Sequence, residues 1–298
     1  MKLISGTSNP QLAENIAANL KIDQVKCEIE TFGNGEKKIW IKGDVYGQTV
    51  CLVQSFSDPV DSVIIETLLL ADALERMGAE NVILVIPWMG YSLQDKMFRN
   101  GEPISAKVVA NIVSNSFIHR VMLMDLHNDS IQGFYSVPTN YLSAIKLFET
   151  YIEKEVDADK IMIGSPDFGG LKRARTLAKH LGLELVNIDK TRDMKTGQVR
   201  AIDLHGVVKN STVVFFDDVI VSGGTIVEAS ELAKNEGANQ VYFLATHGIF
   251  SGNAKQKLQK SQADKIVITN TINHEKLPSK IEVLDVSPVF AGTLSGWL

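Results

Sequence analysis

From Phe215 to Ile226 the chain reads FFDDVIVSGGTI. A β-rich apolar run stops at two adjacent acids, Asp217 and Asp218. The small residues Ser222, Gly223, Gly224 and Thr225 follow closely, and then a helical pattern starts. Ligands of open α/β sheets bind beyond the carboxyl ends of strands. Small residues between strand and helix let successive backbone N–H groups converge on an anion, with the helix N-terminus behind them. Thr225 adds a hydroxyl donor. Acids ahead of such a nest repel a polyphosphate but suit vicinal hydroxyls or a metal ion. A phosphate at one end with a diol nearby describes ribose 5-phosphate. A tight turn with one capping and one solvated acid is the plainer explanation, but it does not require the DD pair and SGGT together.

The elements that must hold this loop are legible along the whole chain. The runs TVCLVQS, NVILVIP, VMLMDL, IMIGSP, ELVNID, TVVFFDD and QVYFLAT are short, apolar and β-rich. Helical segments such as SVIIETLLLADALERMG and TIVEASELAKNEG lie between them. That alternation predicts parallel sheets with helices on their faces. With 298 residues, 45% hydrophobic and 22% charged, the chain can bury substantial cores. Two α/β domains suit that length better than one. The expected boundary lies near TNYLSAIKLFETYIEKEVDADK, giving domains 1–145 and 146–298.

A net charge of -5 argues against a nucleic-acid surface. Cys27 and Cys51 have no metal-binding spacing and read as reduced core thiols. The opening MKLISGTSNPQLAEN has no sustained apolar segment, and no later run approaches a membrane span. A soluble, cytoplasmic protein is expected.

The two halves share a pattern. QTVCLVQS, from Gln48, leads through a helix to MGAENVILVIP, and STVVFFDD, from Ser211, leads through a helix to NEGANQVYFLAT. Both read strand, loop, helix, Gly-Ala, strand, which suggests an internal duplication, although any two βαβ units share much of it. In this pairing Gln54 and Ser55 fall opposite Asp217 and Asp218. The ligand chemistry of the motif therefore belongs to the second half.

DDVIVSGGT resembles the phosphoribosyl-diphosphate loop of type I phosphoribosyltransferases and of ribose-phosphate diphosphokinases (PRPP synthases). SGTSNPQLAENIA, FGNGE, QDKMFRNGEPISAK, DLHNDSIQGFYSVP, SPDFGGLKRA, IDKTR and THGIFSGNA look like the diphosphokinases, in that family's order. The resemblance implies two tandem phosphoribosyltransferase-like (type I) domains, each a mostly parallel sheet flanked by helices. It also implies transfer of a diphosphoryl group from MgATP to C1 of ribose 5-phosphate, with AMP released. Asp217, Asp218, Val221, Ser222, Gly223, Gly224 and Thr225 would then bind ribose 5-phosphate. Lys190 and Arg192 match the family's catalytic Lys-x-Arg pair on a mobile loop, and the following DMKTGQVR has the low apolar content of a lid. His127 and Asp167 match its Mg2+-linked His and Asp. A hard cation prefers oxygen, so contact of His127 with an ATP phosphate or bound water is the alternative.

On the ATP side, Phe32 offers a stacking face and Asn34 and Glu36 a polar edge. In the family this segment reaches a neighbouring subunit's site, which implies a homo-oligomer, dimer-based or as large as a hexamer. Gln94 and Asp95 match an Arg-Gln-Asp run whose leading Arg is Leu93 here. Lys96 and Arg99 are the nearby cations able to replace it. Ser130 stands where the family has Gln. Val221 stands where it usually has Asp or Ser, and a valine still offers its backbone N–H to a phosphate. Two further function classes are a type I phosphoribosyltransferase and a silent regulatory homologue. The two-domain length and FGNGE oppose the first. Leu93 favours the second, and retention of Lys190, Arg192, His127, Asp167 and the acid pair opposes it.

Overall fold

A computed structural model describes residues 1–192 and 199–297 of the chain, excluding the side chains of residues 190–192 and 199–202. The fold forms two compact units. The first carries β1 (Lys2–Ser5), α1 (Pro10–Leu20), β2 (Cys27–Thr31), β3 (Lys37–Ile41), β4 (Thr49–Val53), α2 (Val60–Arg76), β5 (Asn81–Ile86), α3 (Ser105–Ser114), β6 (Arg120–Met124) and β7 (Thr139–Leu142). Its parallel sheet runs in the order β1-β4-β5-β6-β7, and β2 and β3 form a separate antiparallel hairpin. The second carries α4 (Ile145–Glu155), β8 (Ile161–Ser165), α5 (Leu171–Leu181), β9 (Glu184–Arg192), β10 (Val199–His205), β11 (Thr212–Ile220), α6 (Gly224–Asn235), β12 (Gln240–Gly248), α7 (Ala254–Lys260), β13 (Lys265–Thr269) and β14 (Ile281–Leu284). Its sheet order is β10-β9-β8-β11-β12-β13-β14, with only the β9–β10 pair antiparallel. Both sheets have the α/β character the alternating pattern predicts.

The chain does not divide into two continuous stretches. Residues 271–273 and 285–298 belong to the first unit, so the expected second domain of 146–298 loses its end. The cause is apolar. The last helix, α8 (Ser287–Leu294), buries Phe290, Ala291 and Leu294 and packs against α1, whose buried stripe is Leu12, Ala13, Ile16, Ala17 and Leu20. Asn19 Nδ2 donates to Ser287 Oγ at 2.9 Å across that contact.

The paired βαβ segments agree in detail. β4 enters its sheet with Thr49 opposite Asn81, and β11 with Thr212 opposite Gln240. The helices that follow end alike. Gly78 donates to Glu75 O at 2.9 Å and Ala79 to Leu74 O at 3.1 Å, while Gly237 donates to Lys234 O at 3.0 Å and Ala238 to Ala233 O at 3.0 Å. Each glycine takes a positive φ, 76° and 89°, which a side chain would disfavour and which closes the helix before the next strand. This shared geometry accounts for the Gly-Ala pairs in the sequence.

Both cysteines are free thiols in the first unit, Cys51 fully buried in β4 and Cys27 half-buried in β2. Burial pushes Cys51 up to about 12. Cys27 is pushed up to about 11, chiefly by burial, with the Glu66 carboxylate adding to it. Thiolate is the reactive form. Native protein at pH 8 should therefore resist iodoacetamide, while denatured protein takes up two labels; rapid native labelling of Cys27 would contradict its placement.

Candidate active site

The acid pair of the second unit lies inside the strand, not at its exposed end. β11 continues past Asp217, which is opposite Ala245, to Ile220 opposite Gly248. Asp218 is only 3% exposed, and Asp217 is half-buried. The apolar run stops before the ladder does, because neighbouring β12 stays paired through this region.

Three carboxylates gather around the carboxyl ends of β8 and β11. Beyond β8, Asp167 Oδ1 accepts from Gly170 N at 3.0 Å, and Ser165 Oγ donates to the Asp167 carbonyl at 2.6 Å. Asp217 Oδ1 accepts from Asp218 N at 2.9 Å. A Cβ on Gly170 would stand 3.1 Å from that Asp217 oxygen, so glycine is what lets the start of α5 approach the acids. Arg173, in the first turn of α5, brings Nη1 to 3.3 Å from Asp218 Oδ1. Asp217 is held protonated well above the usual carboxylate range, by burial first and then by the charges of Asp218 and Asp167.

The glycine loop adjoins this group. Gly223 has φ 74° and forms the cap from which α6 starts, so the first N–H groups of α6 open at the end of β11. The loop is pinned from the side: Ser251 N donates to the Val221 carbonyl at 2.9 Å, and Ile249 N to the Ile220 carbonyl at 2.8 Å. Val221 contributes backbone to this pinning, in keeping with its apolar side chain. Ser222 is exposed, and Gly224 and Thr225 are half-buried.

Lys190 and Arg192 have their backbone in β9, paired opposite Ala201 and Val199, rather than in a loop. Their side chains and residues 193–198, the segment expected to form a lid, lie outside the described residues.

In the first unit, the loops after β5 and β6 are tied together. Asn128 Nδ2 donates to Asp95 Oδ2 at 2.6 Å, and Asn128 Oδ1 accepts from Ser130 N and Oγ at 3.0 and 2.7 Å. Exposed His127 sits beside this junction in sequence. The Gln94 side-chain carbonyl accepts from Ser105 Oγ at the start of α3. Leu93, Lys96 and Arg99 are exposed on the same loop, with the Lys96 ammonium 5.3 Å from the Phe98 ring centre. Phe32, Asn34 and Glu36 form the tip of the β2–β3 hairpin. There Asn34 Nδ2 donates to Glu36 Oε2 at 3.0 Å, and Phe32 is 51% exposed.

The carboxylates suit a hard divalent cation, which takes oxygen ligands and would offset the burial and the neighbouring acid charges that together raise Asp217. Among the described residues, no three His, Cys, Asp or Glu side chains are grouped to hold a metal by themselves. Mg2+ commonly takes one or two carboxylates together with water and substrate phosphates.

Residues 1–116 match the family model for the N-terminal domain of ribose phosphate pyrophosphokinase, and residues 187–295 match that for the phosphoribosyl synthetase-associated domain. A ribose-phosphate pyrophosphokinase of Fusobacterium nucleatum is 39% identical, with 99% of this chain and 94% of the relative aligned. The chain belongs to the ribose-phosphate pyrophosphokinase family of enzymes. The family member of Thermotoga maritima is 37% identical over 96% of this chain and 91% of its own. The crystal structure of phosphoribosylpyrophosphate synthetase from Mycobacterium smegmatis superposes with a TM-score of 0.91 at 34% identity, covering 99% of this chain and 98% of that one. The hairpin tip and Gln94–Arg99 fall inside the first matched segment of this pyrophosphokinase family member. Lys190, Arg192 and the acid–glycine loop fall inside the second, and His127 and Asp167 lie between the two.

Sequence reasoning missed Arg173 and Asn128. Arg173 had a signal, a cation within SPDFGGLKRA, but only folding sets it against Asp218. Asn128 had its place two residues before Ser130, the spacing of an Asx turn.

Asp217 supplies a pH test. Its native pKa exceeds the ~3.9 of an unfolded Asp, so the native state retains a proton that the unfolded chain releases above that pH. Linkage then leaves stability unaffected below about pH 4 and lowers it as pH rises toward the native value. In ligand-free protein, Asp217→Asn should match wild type in Tm near pH 4 and exceed it by a margin that grows as the pH is raised above that. Parallel Tm curves in calorimetry would show that Asp217 is not the strained group.

Proposed function

We propose that the chain transfers the β,γ-diphosphoryl group of MgATP to the C1 hydroxyl of ribose 5-phosphate, yielding 5-phosphoribosyl 1-diphosphate and AMP. The observation that carries this reading is the junction of buried acids and glycine loop at the end of β11, since Asp217 and Asp218 suit the ribose hydroxyls and Ser222–Thr225 the 5-phosphate. Arg173 offsets the Asp218 charge, so the acids can stay close together without a ligand. The anomeric hydroxyl attacks the β-phosphorus. Lys190 and Arg192 supply positive charge as negative charge grows on the transferred group. Asp167 and His127 are the residues proposed to hold Mg2+, which when bound neutralises ATP phosphate charge. Phe32, Asn34, Glu36, Gln94, Asp95 and one of Lys96 or Arg99 form the proposed nucleotide side.

The family's homologues support the reaction class, and the proposed setting is a cytoplasmic homo-oligomer in which the hairpin tip serves a partner copy. Among the described residues no helix is long and apolar enough to cross a membrane.

Purified protein with MgATP and ribose 5-phosphate should release AMP stoichiometrically with the diphosphorylated sugar; ADP as product would refute the reaction. Lys190→Ala should lower kcat about 10²–10³-fold with a much smaller change in ribose 5-phosphate KM. Leu93 favours one second reading, a weakened or silent nucleotide site, because leucine offers phosphate no donor. If Lys96 or Arg99 replaces the missing cation, one of Lys96→Ala and Arg99→Ala should raise ATP KM roughly 10-fold or more, and Leu93→Arg should gain little. Wild-type behaviour of both alanine variants, with sharp improvement in Leu93→Arg, would favour the weakened site.

A further inference from the structure

The first unit's counterpart of the acid pair is not vacant of chemistry. Gln54, opposite Asp217 in the paired βαβ segments, turns its amide inward and is fully buried. Its Oε1 accepts from Ser8 N at 3.1 Å and Ser8 Oγ at 2.8 Å, and its Nε2 donates to Glu66 Oε1 at 2.7 Å. Glu66 lies on α2 with no exposed surface. Its carboxylate also accepts from Thr7 N at 2.7 Å and from Thr7 Oγ1, 2.9 Å from Oε1 and 2.8 Å from Oε2. All of these donors are neutral. Among the described residues, the charge is met by the Lys37 ammonium, whose Nζ stands 3.1 Å from Glu66 Oε2 with its side chain 16% exposed.

Lys37 has a particular place in the chain. It opens β3 and pairs with Thr31, the last residue of β2, so it is the residue immediately after the tip Phe32–Glu36. Lower in the hairpin, Cys27, Ile29 and Ile39 pack against the core of the unit, and Ile41 is buried in it. Towards the tip, alternate positions are charged and exposed, and the neighbouring pair Lys38–Glu30 at 3.2 Å is half-exposed on both sides. An isolated two-stranded hairpin is marginally stable in water. An exposed ion pair adds little to it, whereas removing one partner of a buried pair leaves an uncompensated charge.

We infer that the Lys37–Glu66 pair anchors the tip end of the β2–β3 hairpin to α2, making Lys37 and Glu66 positioning residues for nucleotide recognition by Phe32, Asn34 and Glu36. This rests on the proposed role of the tip in ATP binding. It gives the corresponding position of the first unit a use of its own: the place proposed to bind sugar in one unit holds a buried carboxylate in the other, and that carboxylate aims the hairpin.

The test compares full-length Lys37→Met, Lys37→Arg, Lys38→Met and Phe32→Ala. Hydrogen exchange of residues 27–41 without nucleotide reads the anchor, and steady-state kinetics reads its consequence. Lys37→Met should speed exchange in the hairpin and raise ATP KM about tenfold, with kcat and ribose 5-phosphate KM within about twofold of wild type. Lys37→Arg should restore both readouts, and Lys38→Met should match wild type. Wild-type exchange and ATP KM in Lys37→Met, alongside a raised ATP KM in Phe32→Ala, would overturn the anchor while leaving the tip's role intact. Equal loss of kcat and both KM values with a lowered Tm would also overturn it, since that is general destabilisation. A wild-type ATP KM in Phe32→Ala would remove the tip from nucleotide binding, and the positioning role with it, whatever the exchange shows.

Discussion

Asp218 is buried in the middle of a parallel sheet, and Arg173 meets it at 3.3 Å. The second unit's chemistry depends on that pairing. A buried carboxylate without a partner is costly, and two more acids stand near this one. With the guanidinium in place, Asp217 can sit beside Asp218 by keeping its proton, and Asp167 can turn one oxygen to the backbone of its own loop. Glycine at position 170 is part of the same constraint, since a side chain there would press on the Asp217 carboxyl. On the proposed reading, the cluster is poised for a ligand that offsets negative charge or donates hydroxyl protons.

The two units show what one βαβ scaffold does with different residues at one position. Their strands enter in corresponding register, and their helices close with the same pair of bonds at a positive-φ glycine. After the fifth residue they part. β4 ends at Val53, and Gln54 joins the neutral donors that surround Glu66. β11 runs on to Ile220 with its acids inside the ladder. Gln54 brings two amide N–H donors and no charge to its buried carboxylate, whereas Asp217 can donate only by keeping its proton, so the same position carries a neutral junction in one unit and a strained acid pair in the other.

Loops beyond the strands of both sheets are held by hydrogen bonds of three kinds, backbone to backbone, side chain to side chain and side chain to backbone. Ser251 and Ile249 pin the glycine loop, Asn128 joins two loops of the first unit, and Glu102 accepts from the amides of Phe98 and Arg99. Such bonds each contribute modestly, about 0.5–1.5 kcal/mol, but they are directional. They fix where a recognition group points, whereas the apolar cores beneath fix only that the sheet exists.

The sequence by itself determined the elements and the chemistry available to them. Alternating β-rich runs and amphipathic helices dictated two parallel sheets, because burying both faces of such strands requires helices on each side. The DD–SGGT order placed two acids ahead of a small-residue turn into a helix, because these are properties of neighbours along the chain. Long-range contacts carried no such signal. Nothing in the letters set Arg173 against Asp218, returned α8 to α1, or kept Asp217 inside the ladder, since each depends on an element distant in sequence. Lys37 reads as one more surface lysine until folding brings it to a carboxylate twenty-nine residues away with no exposed surface. Residue type decides which partners a side chain can accept. Only the tertiary structure decides which one it meets, and burial then sets how much that meeting matters.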